Sequence, residues 1–229
     1  MPEVQTETVQ ISVNGETLSA FLARPEGAGP FPGVVVIQEW WGLEDHIKDV
    51  TQRYAREGFL ALAPDLYHGK LANEPSEAQK LMMALDMNRA SKELLKAADY
   101  LAQHPLTRGR KIGATGFCMG GGLALTLACD SPHIQAVAPY YGINPNPIDK
   151  VANIRGPVLA VYAEHDNFST AEVREQLKEA LTRHGKQFQV QVYPGTQHAF
   201  FNDSRPQVYN RDAASDAWQK TLSLFKENL

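Results

Sequence analysis

The sequence predicts an α/β fold, with a mostly parallel sheet, helices on both faces and an antiparallel hairpin at the N-terminal edge. From residue 33 onward, short apolar runs rich in β-branched residues alternate with longer segments of helical periodicity. This alternation is typical of parallel sheets that helices cover on both sides. Before residue 33, two short segments flank Asn14-Gly15, a dipeptide that favours a two-residue hairpin turn.

The predicted strands share a high content of β-branched and aromatic residues, and they are Gln10–Val13, Leu18–Ala23, Gly33–Gln38, Phe59–Pro64, Lys111–Thr115, Ile134–Tyr140, Val158–Ala163 and Gln187–Tyr193. The predicted helices share an apolar period near 3.6 residues, and they are His46–Glu57, Glu77–His104, Met119–Cys129, Ala171–Arg183 and Arg211–Lys226. No linker rich in Pro or Gly divides the chain. Residues 1–229 are therefore predicted to form a single domain, with residues 64–90 as a candidate partial lid.

Composition argues against several classes of function. The 229 residues include 22 basic and 26 acidic side chains, and no basic run is long enough to follow a phosphate backbone, so we expect no nucleic-acid binding. The longest aliphatic run, Val34–Ile37, is far shorter than the ~20 residues of a membrane span. The N-terminus also lacks the pattern of a secretory signal. We expect a cytoplasmic protein, without membrane binding, that is a monomer or a small homo-oligomer.

Neither a disulfide nor a cofactor is expected. The two cysteines, Cys118 and Cys129, would lie about 16 Å apart along one helix, whereas a disulfide needs Cα atoms within about 7 Å. Both are therefore predicted to be free thiols. The chain contains none of the His-x-Glu, Cys-x-x-Cys or His-Glu-x-x-His spacings that are typical of metal sites.

The segment from Gly116 to Gly120 is the most informative stretch for function. A predicted strand runs directly into Gly-x-Cys-x-Gly, and a helix of small residues follows. This pattern predicts a nucleophile elbow in which Cys118 replaces serine. The tight turn strains the nucleophile, the helix dipole favours its thiolate, and the N–H of Met119 would point at a developing oxyanion. The alternative is that Cys118 is a small buried residue in a glycine-rich turn.

An elbow enzyme needs an acid and then a histidine downstream of the nucleophile. Asp166 and His198 follow two successive predicted strands, and loops at the carboxyl ends of strands form the ligand sites of open α/β sheets. Their order predicts a triad of Cys118, Asp166 and His198. The alternatives are a solvated turn role for Asp166, Glu164 as the acid, and a surface role for any of the 7 histidines.

The chain resembles the dienelactone hydrolase (carboxymethylenebutenolidase) family of α/β-hydrolases from about Ile11 to the final helix. The resemblance is carried by Gly116-Phe117-Cys118-Met119-Gly120-Gly121, Gln38-Glu39-Trp40-Trp41-Gly42, Pro64-Asp65-Leu66-Tyr67 and Gly195-Thr196-Gln197-His198-Ala199-Phe200. It implies an α/β-hydrolase fold and a triad carried by Cys118, His198 and Asp166. It also implies that Glu39 contacts the nucleophile and that Trp40 supplies the second oxyanion-hole N–H.

A role for Glu39 is also reasonable on physical grounds. It directly follows the predicted strand Gly33–Gln38, whose end should lie near the elbow. A carboxylate there can take the thiol proton when substrate arrives, and it keeps the resting cysteine neutral and less prone to oxidation. The alternative is an ordinary loop glutamate.

The chain departs from the family in the residues that bind an anionic substrate. Lactone hydrolases of the family hold the substrate carboxylate with two arginines. One belongs early in the lid-like helix, where this chain has Pro75 and no arginine nearby. The other belongs four residues beyond the histidine, where this chain has Asn202, and Arg205 lies three positions further on. Without the paired clamp an anionic substrate loses hydrogen bonds worth roughly 1.5–3 kcal/mol each.

Aromatic residues flank the predicted catalytic loops. The four predicted to contact substrate are Trp41, Tyr67, Phe117 and Phe200. A pocket with aromatic walls and no cationic clamp suits neutral, apolar or aryl esters.

The sequence therefore predicts a hydrolase of small-molecule ester or lactone bonds that works through a thioester on Cys118. The alternatives are dienelactone hydrolysis proper, promiscuous phosphotriester hydrolysis by the same soft nucleophile, a non-catalytic binder that keeps the fold, and a thiol redox protein that uses Cys118.

Overall fold

The computed structural model of the protein describes residues 3–229. Its strands in chain order are β1 Val4–Val13, β2 Glu16–Pro25, β3 Phe31–Ile37, β4 Leu60–Pro64, β5 Thr107–Phe117, β6 Ile134–Tyr140, β7 Val158–His165 and β8 Phe188–Gln197. They form one sheet in the spatial order β1-β2-β4-β3-β5-β6-β7-β8. Strand β2 runs antiparallel to both β1 and β4, and every other pair is parallel. The prediction of a mostly parallel sheet with an N-terminal hairpin is confirmed.

The helices in chain order are α1 Asp45–Arg56, α2 Pro75–Ala84, α3 Met87–Gln103, α4 Met119–Asp130, α5 Ala171–Arg183 and α6 Arg211–Asn228. A short 3-10 helix, Ile148–Asn153, precedes β7. Within residues 3–229, none of the helices is both long and apolar enough to cross a membrane.

Two apolar clusters fill the space between the sheet and its helices. One face of the sheet is covered by α3, α4 and α5, which pack through Leu94, Leu127 and Leu181. The other face is covered by α1 and α6, which pack through Tyr54 and Phe225. Both sides of the central strands are therefore buried, and the prediction of helices on both faces is confirmed.

The predicted helix Glu77–His104 is wrong as a single element, because the structure divides it into α2 and α3. Asp86 separates the two helices, and its side chain accepts hydrogen bonds from the backbone N–H groups of Asn88 at 2.9 Å and Arg89 at 3.1 Å. An aspartate that caps N–H groups in this way starts a new helix rather than continuing the old one. The apolar period alone did not reveal this break.

The Asp86 cap leads to a first prediction about stability. Asp86→Ala removes the acceptor for two N–H groups at the start of α3, so we expect the free energy of unfolding to fall by about 1 kcal/mol. Urea denaturation at neutral pH measures this change. Glu74→Ala is the matched control, because Glu74 precedes α2 without a side-chain cap hydrogen bond. Equal effects of the two substitutions would contradict the capping role.

Three parallel strands end one residue before a predicted catalytic residue. Strand β5 ends next to Cys118, β7 ends next to Asp166 and β8 ends next to His198. All three strands extend further toward their carboxyl ends than the sequence predicted. The candidate site therefore lies along one edge of the sheet, where ligands bind in open α/β folds.

Candidate active site

The turn between β5 and α4 has the strained geometry that the elbow pattern predicts. Cys118 has φ 57° and ψ −118°, in a region that residues with a Cβ atom rarely adopt. Its N–H donates to the carbonyl of Tyr140 at 3.1 Å, and its own carbonyl accepts from the N–H groups of Gly121 at 3.0 Å and Gly122 at 3.3 Å. These backbone hydrogen bonds stabilise the turn. Cys118 and Cys129 are both free, as predicted.

Glycine is required on both sides of the nucleophile. A Cβ atom on Gly116 would lie 2.1 Å from the carbonyl oxygen of Gly120, and one on Gly120 would lie 2.4 Å from the carbonyl oxygens of Ile37 and Gln38. No unstrained packing tolerates such distances. The absence of these side chains lets the start of α4 touch the end of β3. That contact brings the loop after β3 next to Cys118.

Two backbone N–H groups are available beside the nucleophile. Neither the N–H of Met119 nor that of Trp40 has a backbone acceptor among residues 3–229. A free N–H at the start of α4 and another on the loop after β3 can bind a negatively charged oxygen without giving up a partner. This arrangement fits the predicted oxyanion hole.

The histidine and the acid form a close pair. Nδ1 of His198 lies 2.7 Å from Oδ2 of Asp166, whose side chain is fully buried. The other oxygen of Asp166 accepts from the N–H groups of Phe168 at 2.8 Å and Ser169 at 3.0 Å. Burial raises the pKa of Asp166, but the hydrogen bonds from His198 and from these backbone groups outweigh it, so the pKa is lowered overall.

The competing acid, Glu164, is engaged elsewhere. Its side chain is about half exposed, and its Oε2 accepts from the N–H of Gly195 at 2.8 Å. The structure therefore places Asp166, and not Glu164, against the ring of His198.

The contacts of His198 raise its pKa. Burial lowers the pKa of His198, but its hydrogen bond to Asp166 and its interaction with Cys118 raise the pKa to about 10. Its Nε2 is buried and has no standard hydrogen-bond partner among residues 3–229. When protonated, this nitrogen lies beside a thiol and is free to donate a hydrogen bond to a bound group.

Glu39 is a buried carboxyl group with one unsatisfied oxygen. Its Oε2 accepts from Nδ2 of Asn202 at 3.0 Å, and its Oε1 has no partner among the described residues. Burial, with a contribution from the charge of Glu44, raises the pKa of Glu39 to about 7. Within residues 3–229, Glu39 makes no hydrogen bond to Cys118. The direct contact that the resemblance implies is therefore not seen as a hydrogen bond.

Asn202 presents its amide nitrogen to Glu39 because its oxygen is already occupied. Its Oδ1 accepts from the N–H of Ser204 at 3.1 Å and from the hydroxyl of Ser204 at 2.6 Å. The sequence marked position 202 only as a missing arginine, and no local pattern indicated that it would hold Glu39.

Two further residues lie near the site: Tyr141, which the sequence did not single out, and Arg205, which the sequence analysis named only for its place beyond position 202. Tyr141 is buried with its ring centroid 4.9 Å from that of His198, and its hydroxyl has no partner among the described residues. Arg205 lies over the ring of Trp41 at 5.2 Å, and its charge lowers the pKa of Glu39. The one sequence signal for Tyr141 is its position directly after β6.

The predicted aromatic contacts need a correction. Phe117 and Phe200 are completely buried in the core cluster shared with α1 and α6, which leaves them no surface for a ligand. As residues at a strand end and in a tight loop, they pack inward against other aromatic rings. Tyr67 and Trp41 are also largely buried, but the hydroxyl of Tyr67 contacts Sδ of Met119 at 3.5 Å. A substrate role for Trp41 and Tyr67 stays a prediction.

The sheet topology and the strained turn at its carboxyl edge define an α/β-hydrolase. The model of the dienelactone hydrolase family matches residues 18–229, and the chain belongs to this family. It is therefore a hydrolase, and the resemblance implied by the sequence is confirmed.

Known relatives match nearly the whole chain. "Protein usf" of Aquifex pyrophilus is 39% identical over 230 residues, which cover 97% of this chain and 99% of that protein. A Saccharolobus solfataricus protein, provisionally named a carboxymethylenebutenolidase, is 36% identical over 252 residues, with 93% and 95% covered. Among solved structures, a dienelactone hydrolase-like promiscuous phosphotriesterase from metagenomic libraries matches with a TM-score of 0.90 at 25% identity, and 98% of each chain is covered.

Proposed function

We propose that this protein hydrolyses neutral apolar or aryl esters and lactones through a thioester on Cys118. The observation that supports this proposal best is the strained Cys118 at the start of α4, beside a His198–Asp166 pair with a 2.7 Å contact. A binder that merely kept the fold would have no use for backbone strain at a nucleophilic residue.

The first half of the proposed reaction forms the thioester. Glu39 takes the thiol proton as the sulfur of Cys118 attacks the ester carbonyl. The free N–H groups of Met119 and Trp40 donate to the oxyanion. Each such donor typically stabilises the transition state by about 3–4 kcal/mol. Although burial lowers the pKa of His198, the hydrogen bond to Asp166 and the charge of the attacking sulfur raise this pKa to about 10, so the ring carries a proton at neutral pH. That proton passes to the leaving alcohol as the carbon–oxygen bond breaks.

The second half hydrolyses the thioester. Loss of its proton to the alcohol leaves His198 neutral, so its Nε2 can accept a proton from an attacking water. The same two N–H groups bind the second oxyanion. Collapse of this intermediate releases the carboxylic acid and returns the sulfur of Cys118 and the protonated His198. Asp166 holds the ring in the same tautomer throughout, since it binds Nδ1.

In the proposed mechanism, Glu39 controls the proton of the resting thiol. Its pKa of about 7 lets it exchange a proton near neutral pH. Its unsatisfied Oε1 is free to accept that proton. A neutral resting cysteine is less readily oxidised than a thiolate. This role also argues against a thiol redox protein, as do two free cysteines without a partner thiol.

The charges around the site favour a neutral substrate. Arg205 stacks on Trp41, and its charge opposes the rise that burial causes in the pKa values of Glu39 and Glu44. Its charge is therefore shared with two carboxyl groups of the protein. An anionic substrate would have to compete with them, which favours neutral esters over dienelactone itself.

The proposal is tested by trapping the acyl-enzyme. With 4-nitrophenyl acetate, we expect a burst of nitrophenolate and an intact-protein mass raised by one acetyl group, which peptide mapping places on Cys118. Cys118→Ala should show neither the burst nor the adduct, and Cys129→Ala is the matched control that should keep both. Turnover that survives Cys118→Ala would refute the proposal.

Phosphotriester hydrolysis is a second candidate activity. It is favoured by the similarity to the promiscuous phosphotriesterase, at 25% identity over almost the whole chain. A preorganised anion hole can also stabilise a phosphoryl oxygen. Assays of the wild type and Cys118→Ala with an aryl phosphotriester test whether this reaction uses the same sulfur. Equal rates in the two proteins would exclude a role for Cys118 in phosphotriester hydrolysis.

A further inference from the structure

Two exposed apolar side chains lie on the loops that carry the candidate site. Among residues 3–229, the large hydrophobic residues with high exposure are Leu71, Met82, Met83, Met87, Ile143 and Phe168. Phe168 is 63% exposed and follows β7, whereas Ile143 is 58% exposed and follows β6. An exposed phenylalanine beside a catalytic loop needs an explanation, because its burial would stabilise the fold.

Phe168 flanks the imidazole of His198. The two ring centroids are 5.2 Å apart, with the planes inclined by 59°. On another side of the imidazole lies Tyr141, which is completely buried and belongs to the core. A leaving group that takes its proton from His198 must have its oxygen within about 3 Å of Nε2. The ring of Phe168, 5.2 Å from the imidazole between ring centroids, is an exposed apolar surface that the rest of that alcohol can contact.

Hydrogen bonds hold the loop of Phe168 rigidly. Its N–H donates to Asp166, and the buried hydroxyl of Ser169 lies 2.7 Å from the carbonyl oxygen of Tyr141 and 3.1 Å from that of Gly142. Ser169 therefore joins the loop after β7 to the loop after β6. The backbone that carries the exposed ring is thus preorganised, so little backbone entropy is lost when a ligand packs against the ring.

Ile143 lies on the other loop of this pair. Its side chain reaches α4, where it lies 3.2 Å from the position that a Cβ atom on Gly122 would occupy. Because Ser169 joins the two loops, Ile143 and Phe168 keep a fixed relation to the start of α4 and to His198.

We propose that Phe168, together with Ile143, forms the wall of a leaving-group subsite that selects esters of aryl and other bulky apolar alcohols. This inference rests on the proposed function and specifies which part of the substrate the exposed ring contacts. The acyl portion, bound at the oxyanion hole, does not contact this wall.

The test compares two acetate esters that share the acyl group, phenyl acetate and 2,2,2-trifluoroethyl acetate. We expect Phe168→Ala to lower kcat/KM for phenyl acetate about fivefold to tenfold and to change the trifluoroethyl ester by less than about twofold. Phe168→Leu should recover most of the activity, because it keeps an apolar wall. Hydrolysis of a preformed acetyl-enzyme should keep its rate, because the alcohol has already left.

Met87→Ala is the matched control, since it removes another exposed apolar side chain at the start of α3. It should change neither ester. Equal losses of kcat/KM for both esters in Phe168→Ala, or slower hydrolysis of the acetyl-enzyme, would show that Phe168 merely supports the Asp166 loop and would overturn the inference. No loss for either ester would overturn it as well. If Cys118→Ala hydrolysed both esters as fast as the wild type, the proposed function would be wrong, and this inference would be wrong with it.

Discussion

Asp166→Asn is expected to lower kcat/KM for esters by about 10³- to 10⁴-fold in a chain that still folds. The N–H groups of Phe168 and Ser169 both donate to Oδ1 of Asp166. The asparagine oxygen must stay there, because the opposite orientation would leave two backbone donors without an acceptor, at about 1–3 kcal/mol each. The NH₂ group is then turned toward His198.

The consequence for His198 is the wrong tautomer. An NH₂ group against Nδ1 requires Nδ1 to accept a hydrogen bond, so the ring proton moves to Nε2. A neutral ring protonated there cannot take a proton from water, and the imidazolium loses the carboxylate that raises its pKa. The loss of kcat/KM therefore comes from the altered protonation of His198 and not from a loss of folding.

Steady-state kinetics on 4-nitrophenyl acetate, together with circular dichroism, measure this prediction. Glu164→Gln is the matched control: Glu164 lies two residues earlier, accepts from the N–H of Gly195 and lies 3.4 Å from Nε2 of His165, and glutamine can keep the bond to Gly195. We expect it to retain activity within about twofold. Comparable losses in the two variants would argue against Asp166 as the acid that orients His198.

Glu39→Gln is expected to stabilise the protein by about 3 kcal/mol at pH 8 and to have little effect at pH 4. Burial, then the charge of Glu44, raises the pKa of Glu39 from 4.5 to about 7 in the folded chain. Between these two values the folded state holds a proton that the unfolded state has lost. Stability therefore falls as the pH rises through this window.

Glutamine resembles the neutral carboxyl group and escapes this loss. Its oxygen can still accept from Asn202, and its NH₂ group takes the place of the unsatisfied Oε1. Urea denaturation at the two pH values measures the effect. Stability differences between wild type and variant that are equal at pH 4 and pH 8 would contradict the raised pKa. In Glu164→Gln, which alters an exposed carboxylate, we expect no such pH-dependent gain.

Glu39→Gln also separates stability from function. If the carboxyl group exchanges the thiol proton, the variant gains stability and loses the part of the pH–rate profile that titrates near pH 7. Natural proteins often retain a destabilising buried group where catalysis requires it. A profile that is unchanged in Glu39→Gln would remove Glu39 from the proposed mechanism while leaving the stability prediction intact.

Local sequence patterns were sufficient to predict the fold class and the pair of Asp166 and His198 beside Cys118. The Gly-x-Cys-x-Gly turn after a strand is a short-range feature, because the positive φ of Cys118 and the contact between Gly116 and Gly120 arise within five residues. Asp166 and His198 were found from their order and their places after strands. Strand ends in a parallel sheet meet at one edge whatever the details of packing.

Helix breaks and side-chain directions were less predictable. The apolar period continues across Asp86, so only the competition between capping and helix continuation separates α2 from α3. Phe117 and Phe200 flank catalytic residues in the sequence, yet their rings turn into the core. Adjacent residues at a strand end point to opposite sides, and packing decides which side faces the ligand.

By itself, the sequence determined the fold class, the strained cysteine and the order of Asp166 and His198, because backbone sterics and hydrophobic periodicity act over a few residues. Only the tertiary structure decided the pKa of Glu39, which burial raises and the hydrogen bond from Asn202, 163 positions away in the chain, lowers. It also placed Arg205 on Trp41 and Phe168 beside His198. Burial and charge depend on which distant segments meet, and those contacts exist only once the sheet has brought its loops to one edge.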